Sequence, residues 1–192
     1  VKWANGQIVD TYQTLVRPSR TMQQEVINIH GISNEMVASA PTITEVIADF
    51  HAFALDSVLV AHHAPFDMGF LAYEFEKAQL SFPGYPVLCS SLLSRKLIRE
   101  SPNHRLQTLI GFLNIQQGIA HRALDDARAC LEVFLKCVEK CGPENSVEEI
   151  IRRQGVQLNC EDYSILNLLA DSIYKRIVDA IEQRTGVEII YH

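Results

Sequence analysis

The sequence predicts an α/β domain in which helices flank a mixed sheet, followed by a small, mainly helical C-terminal extension. Three observations support this fold class. A hairpin pattern opens the chain, two short apolar segments each precede a helical segment, and apolar residues recur at helical spacing through most of the remainder. Strands that precede helices in this way are typical of a sheet covered by helices.

Composition narrows the class of protein. The chain has 192 residues, 47% of them hydrophobic, and a formal net charge of −6. No apolar segment is long enough to span a bilayer or to form a signal sequence, and the five cysteines are scattered. We therefore expect a cytoplasmic protein with reduced thiols and no membrane partner. The acidic balance argues against a broad, charge-driven grip on duplex DNA, although it permits chemistry on a short nucleic-acid segment.

The first part of the chain predicts a hairpin and two helices. Residues 2–16 alternate between polar and apolar around Asn5-Gly6, which is a strong hairpin signal. Ser33 can cap a short helix, because its hydroxyl can accept from the free amides of the first turn. Another helix is predicted to begin at Thr42 or Thr44.

The middle of the chain predicts strands that lead into helices. Residues 57–61 form a short β-branched segment, which indicates a buried strand, and residues 66–78 then have helical spacing. The further predicted elements are a strand over residues 87–89 and helices over 92–98, 105–113 and 123–140. The inward stripe predicted for the last helix consists of Ala127, Leu131, Phe134 and Val138.

A stop signal at Cys141-Gly142-Pro143 marks the expected domain edge. We therefore predict one domain over residues 1–142 and a helical extension over residues 143–192. The extension is predicted to hold helices at 147–154 and 166–183. A strand after Gly186 would end it or open a further module.

A carboxylate follows the predicted strand at residues 57–61. Asp67 falls in the first turn of its predicted helix, where the macrodipole and the free amides favour negative charge. We therefore expect an ionised carboxylate that is ready to bind metal. An ordinary helix-start role is the alternative for this residue taken alone.

A second carboxylate occupies the same place on the longest predicted helix. Asp126 shares a helical stripe with Cys130 and is therefore turned partly toward the core, where a carboxylate needs a cation or hydrogen-bond partners. Asp125 points elsewhere and is expected to be solvated. His121 precedes the helix, and its unperturbed pKa of about 6.5 suits a general base, with a surface loop histidine as the alternative. Two carboxylates and a histidine predict metal-assisted hydrolysis.

Together these residues resemble the DEDDh 3′–5′ exonuclease family, which includes the proofreading epsilon subunit of bacterial replicative polymerases. Residues 62–71 resemble the second motif of the family, and residues 121–127 resemble its third, histidine-bearing motif. Three further blocks agree in order and spacing, at residues 29–33, 40–42 and 105–109. The resemblance covers about residues 1–141.

The resemblance implies a ribonuclease-H-like fold with two divalent ions, Mg²⁺ or Mn²⁺. It assigns Asp67 and Asp126 as catalytic metal ligands and His121 as the base that deprotonates the attacking water. The first motif of the family, Asp-x-Glu, would precede Val1 and is absent from the sequence. Since Mg²⁺ prefers near-octahedral oxygen coordination, we expect this N-terminally truncated chain to be weakly active or inactive by itself.

The resemblance also implies contacts to the terminal nucleotide. His30 and Phe66 are candidates through hydrogen bonding and stacking, with a packing role as the alternative for both. His63 is the third candidate, and it stands where the family often has asparagine.

Three functions remain open at the level of sequence. The first is a 3′–5′ exonuclease that removes nucleotides from DNA 3′ ends in proofreading or repair, with single-stranded DNA and a polymerase subunit as partners. The second is an exoribonuclease that trims RNA 3′ ends, since recognition of the 2′-hydroxyl depends on pocket shape. The third is a non-catalytic adaptor that binds a polymerase or helicase. Paired carboxylates with a histidine favour an enzyme over an adaptor.

Overall fold

The computed structural model describes residues 1–116, 118, 122–142 and 146–188. Within these ranges the chain is α/β, with four short strands and ten α-helices. None of these helices is long and apolar enough to cross a membrane.

The predicted hairpin is confirmed. Strand β1 (Lys2–Ala4) pairs antiparallel with β2 (Gln7–Asp10). Asn5 and Gly6 connect the strands with φ values of 53° and 81°. Both residues are in the left-handed region, which a type I′ turn requires and which Asn and Gly tolerate best. The ladder ends at Asp10, short of the predicted limit at residue 16.

The second sheet is a parallel pair formed by β3 (Val60–Ala61) and β4 (Leu88–Cys89). Both strands were predicted, with slightly longer bounds. The antiparallel and parallel pairs are separate two-stranded sheets within the described residues. Both the antiparallel and the parallel pairing of a mixed sheet are thus present, but no hydrogen bonds between strands join the two pairs within the described residues.

Seven helices surround these strands in the first part of the chain. They are α1 (Gln24–His30), α2 (Asn34–Val37), α3 (Ile43–Ala54), α4 (Ala64–Lys77), α5 (Ser90–Leu97), α6 (Leu106–Phe112) and α7 (Ala123–Cys141). The Ser33 cap is confirmed, because its side chain accepts from the Met36 amide at 3.3 Å. Thr42 caps α3 in a capping box with Glu45. Helix α1 was not predicted, since it has no side-chain cap and buries no residue.

Two hydrophobic clusters form the core. The first lies between α3, α4 and β4 and includes Ile47, Met68, Phe75 and Cys89. The second lies between α5, α6 and α7 and includes Leu93, Leu109, Val133 and Cys137. The first cluster holds the start of α4 through Ala64 and Met68, and the second holds the middle of α7.

The C-terminal part contains α8 (Val147–Gln154), a 3-10 helix (Cys160–Tyr163), α9 (Ile165–Ala170) and α10 (Ser172–Gln183). The prediction of a single helix over 166–183 is therefore wrong, because two helices, α9 and α10, occupy this range. Asp171 has extended dihedrals between α9 and α10, and its side chain accepts from the Ile173 amide at 2.8 Å. An aspartate that caps a new helix in this way ends the previous one.

Part of the predicted extension packs into the core of the preceding residues. Ile150, Leu158 and Cys160 belong to the two hydrophobic clusters. Gln154 is almost fully buried, and its side chain accepts from the Cys89 amide at 2.6 Å. The predicted domain edge at residue 142 stays a prediction, and most of the strand predicted after Gly186 lies outside the described residues.

Candidate active site

Asp67 is presented by a sharp turn between β3 and α4. His63 has left-handed dihedrals (φ 68°, ψ 47°), which turn the chain from the strand into the helix. Ala64 is fully buried, and its amide donates to the Cys89 sulfur at 3.4 Å, so the first turn of α4 is fixed against β4. Asp67 therefore lies at the carboxyl end of β3, in the first turn of α4, as predicted.

The electrostatics of Asp67 differ from the expectation. Burial raises the pKa of its carboxyl. Two effects lower this pKa, a hydrogen bond from its own backbone amide and the nearby His63, but burial outweighs them. The helix terminus alone would have favoured the charged form, but removal from water disfavours it more strongly. A desolvated carboxylate of this kind gains most from a bound cation.

Asp126 lies in the first turn of α7 and is half-buried. Cys130, Val133 and Cys137 are buried on the same helix, so the predicted stripe that Asp126 shares is confirmed. The apolar stripe predicted through Ala127, Leu131, Phe134 and Val138 is partly buried: Phe134 belongs to the second hydrophobic cluster and Val138 packs against it, whereas Ala127 and Leu131 are half-buried. The face of α7 that carries Cys130 and Cys137 therefore points inward, because these cysteines pack as small hydrophobic residues.

Cys130 connects the two carboxylates. Burial is the main cause that raises the pKa of its thiol to about 11, and the Asp67 carboxylate adds to the rise. Cys130 follows Asp126 by one helical turn, and residues four apart on a helix are neighbours on one face. Asp67 is therefore close enough to influence the thiol that follows Asp126 on α7 by one helical turn.

The C-terminal end of α1, where His30 is the last residue, approaches the start of α7. Gly31 is left-handed (φ 67°), and a β-carbon added there would lie 3.7 Å from the Arg122 guanidinium, four residues before Asp126. The Nδ1 atom of His30 accepts from the Ile32 amide at 3.0 Å. One ring nitrogen of His30 thus accepts a hydrogen bond from the loop that follows α1, and this segment borders the start of α7.

Phe66 is exposed over 65% of its surface, next to Asp67 on α4. Its ring meets that of Phe70, which is also exposed, edge to face at a centroid distance of 5.1 Å. Phe66 therefore lies outside the core, and its packing partner is the exposed Phe70. His63 is exposed as well, whereas His121 lies outside the described residues.

His62 had no role in the sequence analysis, and the structure gives it one. Its Nε2 atom donates to the His104 carbonyl at 3.0 Å, and its Nδ1 atom pairs with the Ser90 hydroxyl at 2.9 Å. Because the carbonyl can only accept, Nε2 carries the proton and Nδ1 accepts. Burial lowers the pKa of His62, which favours this neutral ring. The sequence shows the His62-His63 pair but not which member turns inward.

The donor set fits a hard divalent cation in type but is small in number. Asp67 and Asp126 offer carboxylate oxygens, the ligands that Mg²⁺ and Mn²⁺ prefer. Within the part of the chain that the structure describes, no group of three or more His, Cys, Asp or Glu side chains could hold a metal ion. Two carboxylates fit a shared cation, and two ions need further oxygen ligands.

Comparison with known proteins now assigns the family. The family model described as RNase_T exonuclease matches residues 1–134. The chain belongs to this exonuclease family. The resemblance drawn from the five sequence blocks is thereby confirmed, and so is the ribonuclease-H-like fold class. A solved structure of exonuclease X, in complex with 5′ overhanging duplex DNA, is similar to this exonuclease domain with a TM-score of 0.59. It is 25% identical and covers 80% of this chain and 87% of that one.

Curated relatives of the domain are much longer proteins. A protein of Mycobacterium tuberculosis (strain CDC 1551 / Oshkosh), named as a bifunctional exonuclease/endonuclease, is 35% identical over 191 residues, which is 97% of this chain and 28% of the relative. The PolC-type DNA polymerase III of Oceanobacillus iheyensis is 38% identical over 140 residues, 73% of this chain and 10% of the relative. That of Bacillus subtilis (strain 168) is 36% identical over 140 residues, again 10% of the relative. The chain thus spans about a quarter or a tenth of the length of these relatives.

Proposed function

We propose that this exonuclease domain removes nucleotides from DNA 3′ ends by metal-dependent hydrolysis. The observation that carries the proposal is the place of Asp67 and Asp126 in the first turns of α4 and α7, with Asp67 close enough to raise the pKa of the Cys130 thiol one helical turn beyond Asp126. The names of the relatives add support, since they include a PolC-type DNA polymerase and an exonuclease bound to DNA. Association with a polymerase subunit is part of the same proposal.

In this proposal Asp67 and Asp126 hold the divalent cations, Mg²⁺ or Mn²⁺. The chemistry that two such cations supply is activation of water and stabilisation of the leaving 3′ oxygen. His121 accepts the proton of the attacking water. His30, His63 and Phe66 contact the terminal nucleotide, and the exposed Phe66 ring offers a face on which a base can stack.

The number of carboxylates limits the expected rate. Asp67 and Asp126 are two ligands for two ions, so we expect weak hydrolysis from this chain.

The test compares metal binding with hydrolysis. Mn²⁺ should raise the thermal unfolding temperature of the chain, and the Asp67→Ala/Asp126→Ala double variant should lose this shift. Asp49→Ala is the matched control, because Asp49 is an exposed aspartate on α3. An unchanged Mn²⁺ shift in the double variant would sink the proposed metal site.

Hydrolysis is measured on 5′-labelled single strands of DNA and of RNA with Mn²⁺. Slow stepwise shortening from the 3′ end of the DNA strand is the expected result, and it should disappear in the double variant. Shortening of the RNA strand alone would replace the DNA assignment with RNA trimming. Binding of either strand without any hydrolysis would support an adaptor.

A further inference from the structure

A basic cavity lies beside the proposed active site. It has a volume of about 560 Å³ and is enclosed between the start of α4, helix α5 and the loop before α6. Among the described residues its lining contains no acidic side chain. Two arginines and three histidines contribute to it: Arg95, Arg105, His62, His63 and His104. In a chain with a net charge of −6, two arginines in a lining whose described residues include no carboxylate indicate a site for an anion.

The two arginines are available to such an anion. Arg95 and Arg105 are exposed, and neither belongs to the ion pairs found among the described residues. A guanidinium presents a planar fork of donors that matches two oxygens of a phosphate group. The cavity therefore suits a phosphate better than a compact anion without such geometry.

The wall that carries His104 is held in place by hydrogen bonds. Its Nδ1 atom lies 3.1 Å from the Ser94 hydroxyl, which donates its own hydrogen to the Ser91 carbonyl at 2.9 Å. Nδ1 must therefore be the donor to Ser94, which leaves Nε2 without a hydrogen bond among the described residues. Burial lowers the pKa of His104, and the nearby Arg95 adds to this effect.

His63 connects this cavity with the proposed metal site. It lines the cavity, and it is close enough to Asp67 to influence the pKa of that carboxyl. We propose that the cavity binds a phosphate group of the nucleic acid while the 3′ end reaches Asp67. Arg95 and Arg105 would thereby set the path of the strand. This inference rests on the proposed function and adds a substrate site that the family motifs do not assign.

The test measures binding without hydrolysis. Fluorescence anisotropy with a labelled single-stranded DNA, in the absence of divalent cations, gives the Kd over a series of salt concentrations. Arg95→Gln should weaken binding about tenfold and reduce the slope of log K against log salt by about 0.7, the value for one phosphate contact on a single strand. Arg99→Gln is the matched control, because Arg99 is an exposed arginine outside the cavity lining.

Two further measurements identify the source of the phosphate. If it belongs to the strand, one uncharged methylphosphonate linkage should abolish the difference between the wild type and Arg95→Gln. If it belongs to a released nucleotide, a nucleoside 5′-monophosphate should bind more weakly to Arg95→Gln than to the wild type. A single methylphosphonate linkage in the strand should then leave the difference in Kd between the two proteins unchanged.

Equal Kd values and salt slopes for Arg95→Gln and Arg99→Gln would overturn the proposal. So would a wild-type chain that binds neither the strand nor the nucleotide. The readout is independent of cleavage. Suppose that the chain fails the Mn²⁺ and hydrolysis tests but that Arg95→Gln still reduces the slope of log K against log salt. The phosphate site would then stand, and the nuclease assignment would fall.

Discussion

The Nε2–H group of His62 donates a hydrogen bond to the backbone carbonyl of His104, across 42 residues of sequence. This bond joins the turn before α4, which presents Asp67, to the loop before α6, which lines the basic cavity. The proposed metal site and the proposed phosphate site therefore share one structural link.

The adjacent histidines should respond differently to truncation. His62→Ala removes both side-chain hydrogen bonds and leaves the Ser90 hydroxyl without one partner, so we expect a loss of about 1–3 kcal/mol in the free energy of unfolding. His63→Ala removes an exposed side chain and should change that free energy by less than about 0.5 kcal/mol. Urea unfolding of both variants measures the difference, and equal losses would contradict the structural role of His62.

Stability should fall in mildly acidic solution. Burial lowers the pKa of His62 in the folded chain, and the pKa of His104 is lowered in the same direction. As pH falls below the unfolded value of about 6.5, the unfolded chain binds protons that these folded side chains resist, so the folded state loses stability. His62→Gln should reduce the drop in unfolding free energy between neutral and acidic pH. A variant that keeps the whole drop would show that His62 titrates normally.

Asp67 should lower the stability of the metal-free chain. Its folded pKa is raised, so the folded state binds the proton more tightly, and that contribution is lost as pH rises through the raised pKa. At neutral pH without divalent cations, Asp67→Asn should therefore raise the unfolding temperature, whereas with Mn²⁺ the wild type should gain and the variant should not. Asp49→Asn is the exposed control, and a lower unfolding temperature for metal-free Asp67→Asn would refute the desolvation argument.

Gln154 should be required for the stability of the whole described core. Its side chain accepts from the Cys89 amide on β4 and donates to the Val156 carbonyl at 2.8 Å. Gln154→Ala leaves a buried amide unsatisfied and should cost about 1–3 kcal/mol in the free energy of unfolding. Gln157→Ala, at an exposed position, should cost less than about 0.5 kcal/mol. A single unfolding transition in both variants would show that α8 unfolds together with the preceding helices.

The sequence predicted the features that arise from neighbouring residues. The Asn5-Gly6 turn, the Ser33 cap and the buried face below Asp126 each depend on a few residues within one turn or one helix. Helix α1 was missed because it lacks a capping side chain and buries nothing, and these are the signals that sequence analysis uses. The break at Asp171 was missed because an aspartate within an apolar period can either lie on the helix surface or cap a new helix.

By itself the sequence determined the family, the helices and strands other than α1 and the break at Asp171, and the placement of Asp67 and Asp126 at the starts of two helices, since periodicity, caps and motif spacing are local properties of the chain. Only the tertiary structure decided that burial raises the pKa of Asp67, that His62 turns inward to His104, and that Arg95 shares a cavity with His63. The physical reason is that desolvation and charge clustering depend on groups far apart along the chain, which only packing brings together.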